Sequence, residues 1–278
     1  MINYPLSEGL NFARDLLTHP CFMCDNESPR FCIYRGRKCA NMAVRYRGVY
    51  PSHDAAIAAL PSSKPRGFDH KKVVDHFQKK LSFFNPGDYP ALLRLQQILR
   101  PGSTIFDLGG GYGQCYYAYK DYIQFPDGLR WVVCDFPSFT QRGEGFAKEQ
   151  LADALSFTTN RQDANGSLVY LTNGTLQYIE TGLAEMLSEL AEKPPHVLVN
   201  RVPVYSGETY YTVQYGAFSY SPYKVMNAEQ LINSMEHLGY RKIDQWSLPR
   251  KLRIPFRSAH FVADYQGFYF ALSPALPL

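Results

Sequence analysis

Thr104-Ile-Phe-Asp-Leu-Gly-Gly-Gly-Tyr-Gly-Gln114 decides how this 278-residue chain is read. It opens on a short apolar run, Ile105-Phe106, of the kind that forms a buried strand. It then breaks into glycine. Gln114 to Tyr122 is bulky, aromatic and free of Gly and Pro, so a helix can begin there. Strand, glycine turn and helix make the layout of a nucleotide-type cofactor site in an α/β sheet. Glycine permits a tight turn and lets a ligand approach the backbone, and the helix N-terminus offers free N–H groups.

The glycine spacing narrows the cofactor. A dinucleotide fingerprint needs G-x-G-x-x-G. Counted from Gly109 the third position falls on Gln114, and from Gly111 it falls on Tyr116, so both registers fail. No Lys followed by Ser or Thr closes the turn, so a P-loop fails as well. What remains is an acid two residues before three alternate glycines: Asp107, Gly109, Gly111, Gly113. This resembles motif I of the class I S-adenosyl-L-methionine (SAM) methyltransferases. The resemblance implies a SAM site on Asp107, Gly109, Gly110, Gly111, Gly113 and Gln114. An acid at the strand end suits the ammonium of the SAM methionine moiety.

A second acid lies one helix and one strand later. Leu129-Arg-Trp-Val-Val-Cys-Asp135 reads as a strand ending in a carboxylate, followed by Phe136. In a βαβ unit that acid sits beside the first turn and can accept hydrogen bonds from ribose hydroxyls. The bland alternative is an ordinary glycine-rich turn, with Asp135 only capping the bend before Phe136-Pro137. Further segments occur in order: Tyr46-Arg-Gly-Val-Tyr50, Gly174-Thr-Leu-Gln-Tyr178, Asn200-Arg-Val-Pro203 and Pro222-Tyr-Lys-Val-Met-Asn227. Over residues 45 to 272 the chain resembles a mostly uncharacterised group of SAM-dependent methyltransferases often associated with surface-polysaccharide gene clusters. Asn173 and Gly174 join the cofactor-binding expectation through this resemblance.

Strands are expected at 104–107, 129–134, 155–158, 168–172, 197–200, 242–248 and 267–272. Helices are expected at 114–122, 143–154, 182–193 and 227–238, preceded by one over 89–99 that places Leu92, Leu95 and Leu99 on one face. Alternation of this kind argues for an α/β fold with a mostly parallel sheet. The resemblance implies a Rossmann-like methyltransferase sheet whose last strand is antiparallel. Residues 1–88 are expected to form a largely helical N-terminal cap, and 89–278 the SAM-binding domain. Within the cap, Leu6, Leu10, Phe12, Ala13, Leu16 and Leu17 give a loose helical stripe over residues 1–20.

Composition bounds the partners. Hydrophobic residues make up 45% and charged residues 19%, which suits a globular chain with a substantial core. A net charge of +4 is too small to argue for nucleic acid, and the basic stretch from Lys64 to Lys80 is interleaved with Asp69 and Asp75. No apolar run approaches a membrane span. Met1 to Pro20 has neither the basic head nor the apolar core of a secretory signal, so a cytoplasmic location is expected. Cys21, Cys24, Cys32 and Cys39 are spaced C-x2-C-x7-C-x6-C, without the second C-x2-C of common zinc ribbons. Reduced, partly buried thiols and no metal are the expectation, with a cysteine-bound zinc as the alternative.

Methyl transfer needs an acceptor held at attack distance, and a base only where the acceptor carries a proton. Tyr178 and Gln177 follow the fourth strand of the domain, where Gln177 would orient an acceptor. His260 is the best-placed imidazole, just ahead of the last strand. Arg201 is expected at the carboxyl end of the fifth strand, clamping a carboxylate or phosphate, or else paired internally with Asp135 or Glu180. Tyr205 to Tyr223, rich in tyrosine, is expected as a long loop closing over an anionic or sugar-like small molecule. A non-catalytic SAM-fold binding or scaffolding protein with a cysteine metal knuckle is the competing reading.

Overall fold

The computed structural model describes residues 45–78, 84–216, 218–255 and 257–272. The helix expected over residues 1–20 and the four N-terminal cysteines lie outside the described residues. Among these residues the strands are β1 (Tyr46–Tyr50), β2 (Thr104–Leu108), β3 (Arg130–Cys134), β4 (Leu155–Thr158), β5 (Val169–Asn173), β6 (His196–Tyr205), β7 (Tyr210–Tyr215), β8 (Tyr220–Asn227), β9 (Tyr240–Leu248) and β10 (Tyr265–Leu272). Helices are α1 (His53–Ala58), α2 (Lys71–Gln78), α3 (Tyr89–Ile98), α4 (Gln114–Tyr119), α5 (Pro137–Glu149), α6 (Leu183–Ser188) and α7 (Ala228–His237).

Side-chain alternation along β2 builds the centre. Ile105 packs into one apolar layer and Phe106 and Leu108 into the other, so the sheet is buried on both faces. The first layer is closed by α3 through Leu92 and Leu95, by α4, and by Trp131 of β3. The second is closed by α6 through Leu183, Met186 and Leu187 and by α7 through Leu231 and Met235. Asp107 shares the face of Ile105, which aims its carboxylate at Trp131. Strands β4, β3, β2, β5 and β6 are parallel neighbours in that order. Strand β10 then runs antiparallel to both β6 and β9. The mixed, mostly parallel sheet and its antiparallel last strand are thus present. Among the described residues no helix is long and apolar enough to cross a membrane.

The expected elements differ from the observed ones in instructive places. The helix read at 143–154 is α5, starting at Pro137, because proline is welcome in a first helical turn. The helix read at 182–193 ends at Ser188. Tyr205–Tyr223 is no loop. β7 and β8 form an antiparallel pair there, and β1 adds to β7. Alternating Tyr, Thr and Val in β7 are strand-forming residues. Pro222 cannot donate to a ladder, yet β8 accommodates it opposite Val213. The residues before position 89 therefore supply a strand as well as helices.

β6 links the two parts. It pairs with β5 along its first half, with β10 from His196 to Pro203, and with β8 at Val204 and Tyr205. Between the two lies a β-bulge: Val199 faces Phe268 and Val202 faces Gln266, so Asn200 and Arg201 together oppose Gly267. Arg201 takes a left-handed φ of 57°, rare for a residue with a side chain. Gly267 has no room for a side chain, since a Cβ there would lie 2.1 Å from the Trp246 ring. Trp246 in turn donates its indole N–H to Asn200 Oδ1 at 2.9 Å. Gly267→Ala should therefore push Trp246 off Asn200 and destabilise the fold by about 1–3 kcal/mol. Urea unfolding followed by tryptophan fluorescence will show a lower midpoint; an unchanged midpoint would remove Trp246 as the brace of the bulge.

Candidate active site

The carboxyl ends of β2, β3 and β5 and the bulge of β6 open into a cavity of about 440 Å³, where an open α/β sheet binds its ligands. Asp107, Gly109, Gly110, Gly111, Gln114, Asp135, Phe136, Asn173, Gly174, Tyr178 and Arg201 all line it. Gly113 does not. It is the left-handed residue, φ 86°, that starts α4, and a Cβ there would meet Leu155 at 2.7 Å.

The glycine turn is shaped by what lies beneath it. Gly109 and Gly111 have φ of 72° and 60°. A Cβ on Gly110 would come within 2.4 Å of Asp107 Oδ2, and one on Gly109 within 2.2 Å of Thr175. The turn is pinned across to β3: Gly111 N–H donates to Asp135 Oδ2 at 2.8 Å, and Phe136 N–H to Asp135 Oδ1 at 2.7 Å. On its far side Gln114 Oε1 accepts from Tyr112 N–H at 3.0 Å.

Asp107 is fully buried. Trp131 donates to its Oδ2 at 3.1 Å, while Oδ1 has no partner among the described residues. Burial pushes its carboxyl up to about 7, against the opposing hydrogen bond from Trp131. Burial likewise raises Asp135 to about 6, although the N–H groups of Phe136 and Gly111 pull the other way. Two carboxylates held at this cost, one with an oxygen still bare, suit a ligand that brings a cation to Asp107 and hydroxyl donors to Asp135. The thiols are poor nucleophiles here. Burial raises Cys115 far above its ordinary value and Cys134 to about 12.

Arg201 lies within β6 at the bulge, not at the end of a strand. Its Nε donates to Asn173 Oδ1 at 2.5 Å and stands 3.4 Å from Asp88 Oδ1. The internal partner is therefore Asp88, rather than Asp135 or Glu180. Asp88 is buried, its carboxyl raised by that burial and drawn back down by Arg201, and it accepts from Asn200 Nδ2 at 2.9 Å. Asn173 Nδ2 completes the network by donating to the Tyr119 hydroxyl at 3.1 Å. Sequence reading missed Asp88. Its signal was faint: an acid beside the start of α3 that makes no cap.

Two expected acceptor residues stand elsewhere. Gln177 is buried and donates to Gly174 O at 2.7 Å, so its amide braces the turn after β5 instead of lining the cavity. His260 lies beyond the cavity wall in a short turn, its ring 4.9 Å from that of Tyr210 and 6.1 Å from that of Tyr205. Tyr178 does line the cavity, and its hydroxyl donates to Gln214 of β7 at 3.0 Å.

The sequence matches no family model and no curated protein. Solved structures that resemble the chain include SAM-dependent methyltransferases. One is the 1,6-didemethyltoxoflavin-N1-methyltransferase of Burkholderia thailandensis, at 16% identity, 72% of this chain, 84% of that one and a TM-score of 0.49. Another is the geranyl diphosphate C-methyltransferase of Streptomyces coelicolor A3(2), at 15%, 82%, 90% and 0.49. A third is the CcbJ methyltransferase of Streptomyces caelestis, at 13%, 68%, 91% and 0.47. The first was solved with its substrate and S-adenosylhomocysteine, and the second with Mg2+, geranyl diphosphate and S-adenosylhomocysteine. Likeness at this level carries no substrate over to this chain.

Two outcomes test the electrostatics. Folding raises the Asp107 carboxyl from 3.8 to about 7, so the folded state holds that proton more tightly than the unfolded chain. The resulting stability is full below the unfolded value and is lost as pH rises through the folded one, at up to about 1.4 kcal/mol per pH unit. The melting temperature of the ligand-free protein should fall from pH 5 to 8, and less so in Asp107→Asn; parallel curves would contradict the raised carboxyl. Arg201→Met leaves Asp88 buried without its cation and should cost about 3 kcal/mol. Adding Asp88→Asn should restore most of the lost melting temperature, whereas additive losses would break the pair.

Proposed function

We propose that this chain is a SAM-dependent methyltransferase acting on a small-molecule acceptor. The observation that carries the reading is the bare, buried oxygen of Asp107 under a glycine turn that Asp135 pins from the next strand. That pair is what the ammonium and ribose ends of SAM require. When bound, SAM supplies an electrophilic methyl group on a sulfonium.

The protein's part is to bind, orient and exclude water. Asp107 Oδ1 takes the ammonium, which lowers the carboxyl from about 7 and settles its charge. Asp135 keeps a lone pair on each oxygen after its two backbone bonds, enough for two ribose hydroxyls. Gly109 to Gly111 allow close backbone approach, and Gln114, Asn173 and Gly174 complete the rim. Phe136, about half exposed at the cavity mouth, offers a ring face to the adenine.

The acceptor belongs on the opposite side. β7, β8 and β6 lie across β5 and β2 from β3, so Tyr178 with Gln214, and Arg201, stand across the cavity from Asp135. Positioning of the acceptor atom at attack distance is the catalytic device these residues support. Arg201, whose Nε is engaged by Asp88 and Asn173, lines this wall. The competing binding-protein reading rested on the missing general base and on the N-terminal cysteines, which lie outside the described residues.

Asp135→Ala removes charge-assisted hydrogen bonds worth about 1.5–3 kcal/mol each and unpins Gly111. Calorimetric titration should show SAM affinity at least tenfold weaker in a variant that still melts cooperatively. Undiminished SAM affinity would sink the assignment.

A further inference from the structure

The protein uses only one edge of the Arg201 guanidinium. Nε donates to Asn173 Oδ1 at 2.5 Å, and the closest approach to Asp88 is again from Nε, 3.4 Å from Oδ1. A guanidinium carries five N–H donors, four of them on its two Nη atoms. Among the described residues neither Nη makes a hydrogen bond. The amide of Asn173 cannot be turned to change this. Its oxygen must face Arg201, because an N–H only donates, and its nitrogen faces the Tyr119 hydroxyl at 3.1 Å and the Cys115 sulfur at 3.3 Å.

The unused edge opens to the cavity. Arg201 lines the cavity with 28% of its side chain accessible, and neither Nη is sealed from solvent. The backbone is bent to hold it so. Arg201 keeps its left-handed φ of 57° at the bulge of β6, and an outlier of this kind is a pointer to function. Arg161 is the other cation on the cavity wall. It follows β4, at the opposite end of the parallel strands from β6.

The chemistry of the surroundings selects the ligand group. Two Nη donors in one plane match the two oxygens of a carboxylate. Contacts lead from Arg201 through Asn173 to Cys115, whose thiol is raised first by burial and then by the charges of Asp107 and Asp88, with Arg201 opposing them. The charge of Arg201 also reaches Asp107, where it opposes the burial that raises that carboxyl. With two acids so close, a single carboxylate charge is better tolerated than a phosphate dianion.

We infer that the open Nη edge of Arg201 is a carboxylate-binding fork, filled by the methyl acceptor or by the aminoacyl end of SAM. The inference rests on the methyltransferase reading for the identity of the ligand, and on the geometry of Arg201 for the fork itself. Asp88 and Asn173 hold the guanidinium from behind, so one side chain serves an internal pair and a ligand at once. If the carboxylate is that of SAM, Asp107 and Arg201 divide the zwitterion, the ammonium going to the first and the carboxylate to the second.

The test uses the full chain and two ligands, S-adenosylhomocysteine and its decarboxylated analogue, titrated calorimetrically into the wild type and Arg201→Lys. Lysine keeps a cation beside Asp88 and removes the planar fork. If Arg201→Lys does not melt cooperatively, the double variant Arg201→Met, Asp88→Asn replaces it. A carboxylate supplied by SAM makes the wild type bind the decarboxylated analogue at least tenfold more weakly, a penalty that falls below threefold in the variant. A carboxylate supplied by the acceptor leaves that penalty equal in both proteins. Benzoate, but not neutral benzamide, then binds the complex with S-adenosylhomocysteine saturably, and at least tenfold more weakly in the variant. An equal penalty together with benzoate binding that is absent, or the same in both proteins, overturns the fork and leaves its edge to water. Failure of the wild type to bind S-adenosylhomocysteine would instead overturn the methyltransferase reading, with the benzoate titration of the ligand-free protein still deciding the fork.

Discussion

A buried carboxylate under a turn without side chains is the constraint from which the rest of this site follows. Asp107 sits on the second-last position of the central strand, wholly out of water, with one oxygen held by Trp131. Any side chain at Gly110 would collide with it. The glycine run is therefore as much a consequence of the carboxylate's position as of the ligand's approach. A charge held this deep is costly unless a partner arrives.

The second constraint is the bulge in β6. One strand serves two surfaces: its first half completes the parallel sheet and its end joins the layer of β8, β7 and β1. Inserting one residue redirects the strand and turns Arg201 toward Asn173 and Asp88. The left-handed backbone at Arg201 costs about 1–3 kcal/mol. The ion pair with Asp88, the Asn200 amide and the Trp246 indole hold it there. The same network fixes Asn173 at the cavity edge.

The tyrosines divide into two populations with different physics. Tyr112, Tyr116, Tyr117 and Tyr119 flank or form α4 and are core: Tyr116 and Tyr119 meet Trp131 edge-on, Tyr112 packs against Phe139 and Tyr117 against Phe146. The Tyr112 hydroxyl donates to Val74 O at 2.9 Å and that of Tyr119 accepts from Asn173 Nδ2 at 3.1 Å, while that of Tyr117 is buried with no partner among the described residues. Tyr46, Tyr178, Tyr223 and Tyr265 instead turn their hydroxyls toward one another. A composition of 15% aromatic residues could not distinguish the two, because both kinds of ring are buried and only the direction of the hydroxyl differs.

The sequence by itself determined the local features: the β2 strand, its acid and glycines, Asp135 at the end of β3, the alternation of strands and helices, and the α3 face of Leu92 and Leu95. Each depends on neighbours a few residues apart, on periodicity or on glycine conformation, and these are written in the chain. Tertiary structure alone decided which way β6 bends, that Arg201 finds Asp88, that Gln177 and His260 turn away from the cavity, and that Tyr205–Tyr223 is sheet. Arg201 and Asp88 are separated by more than a hundred residues, and Tyr46 and Tyr265 by 219. Partners so distant are chosen by strand order and by the residual needs of buried polar groups, and neither leaves a local trace in the sequence.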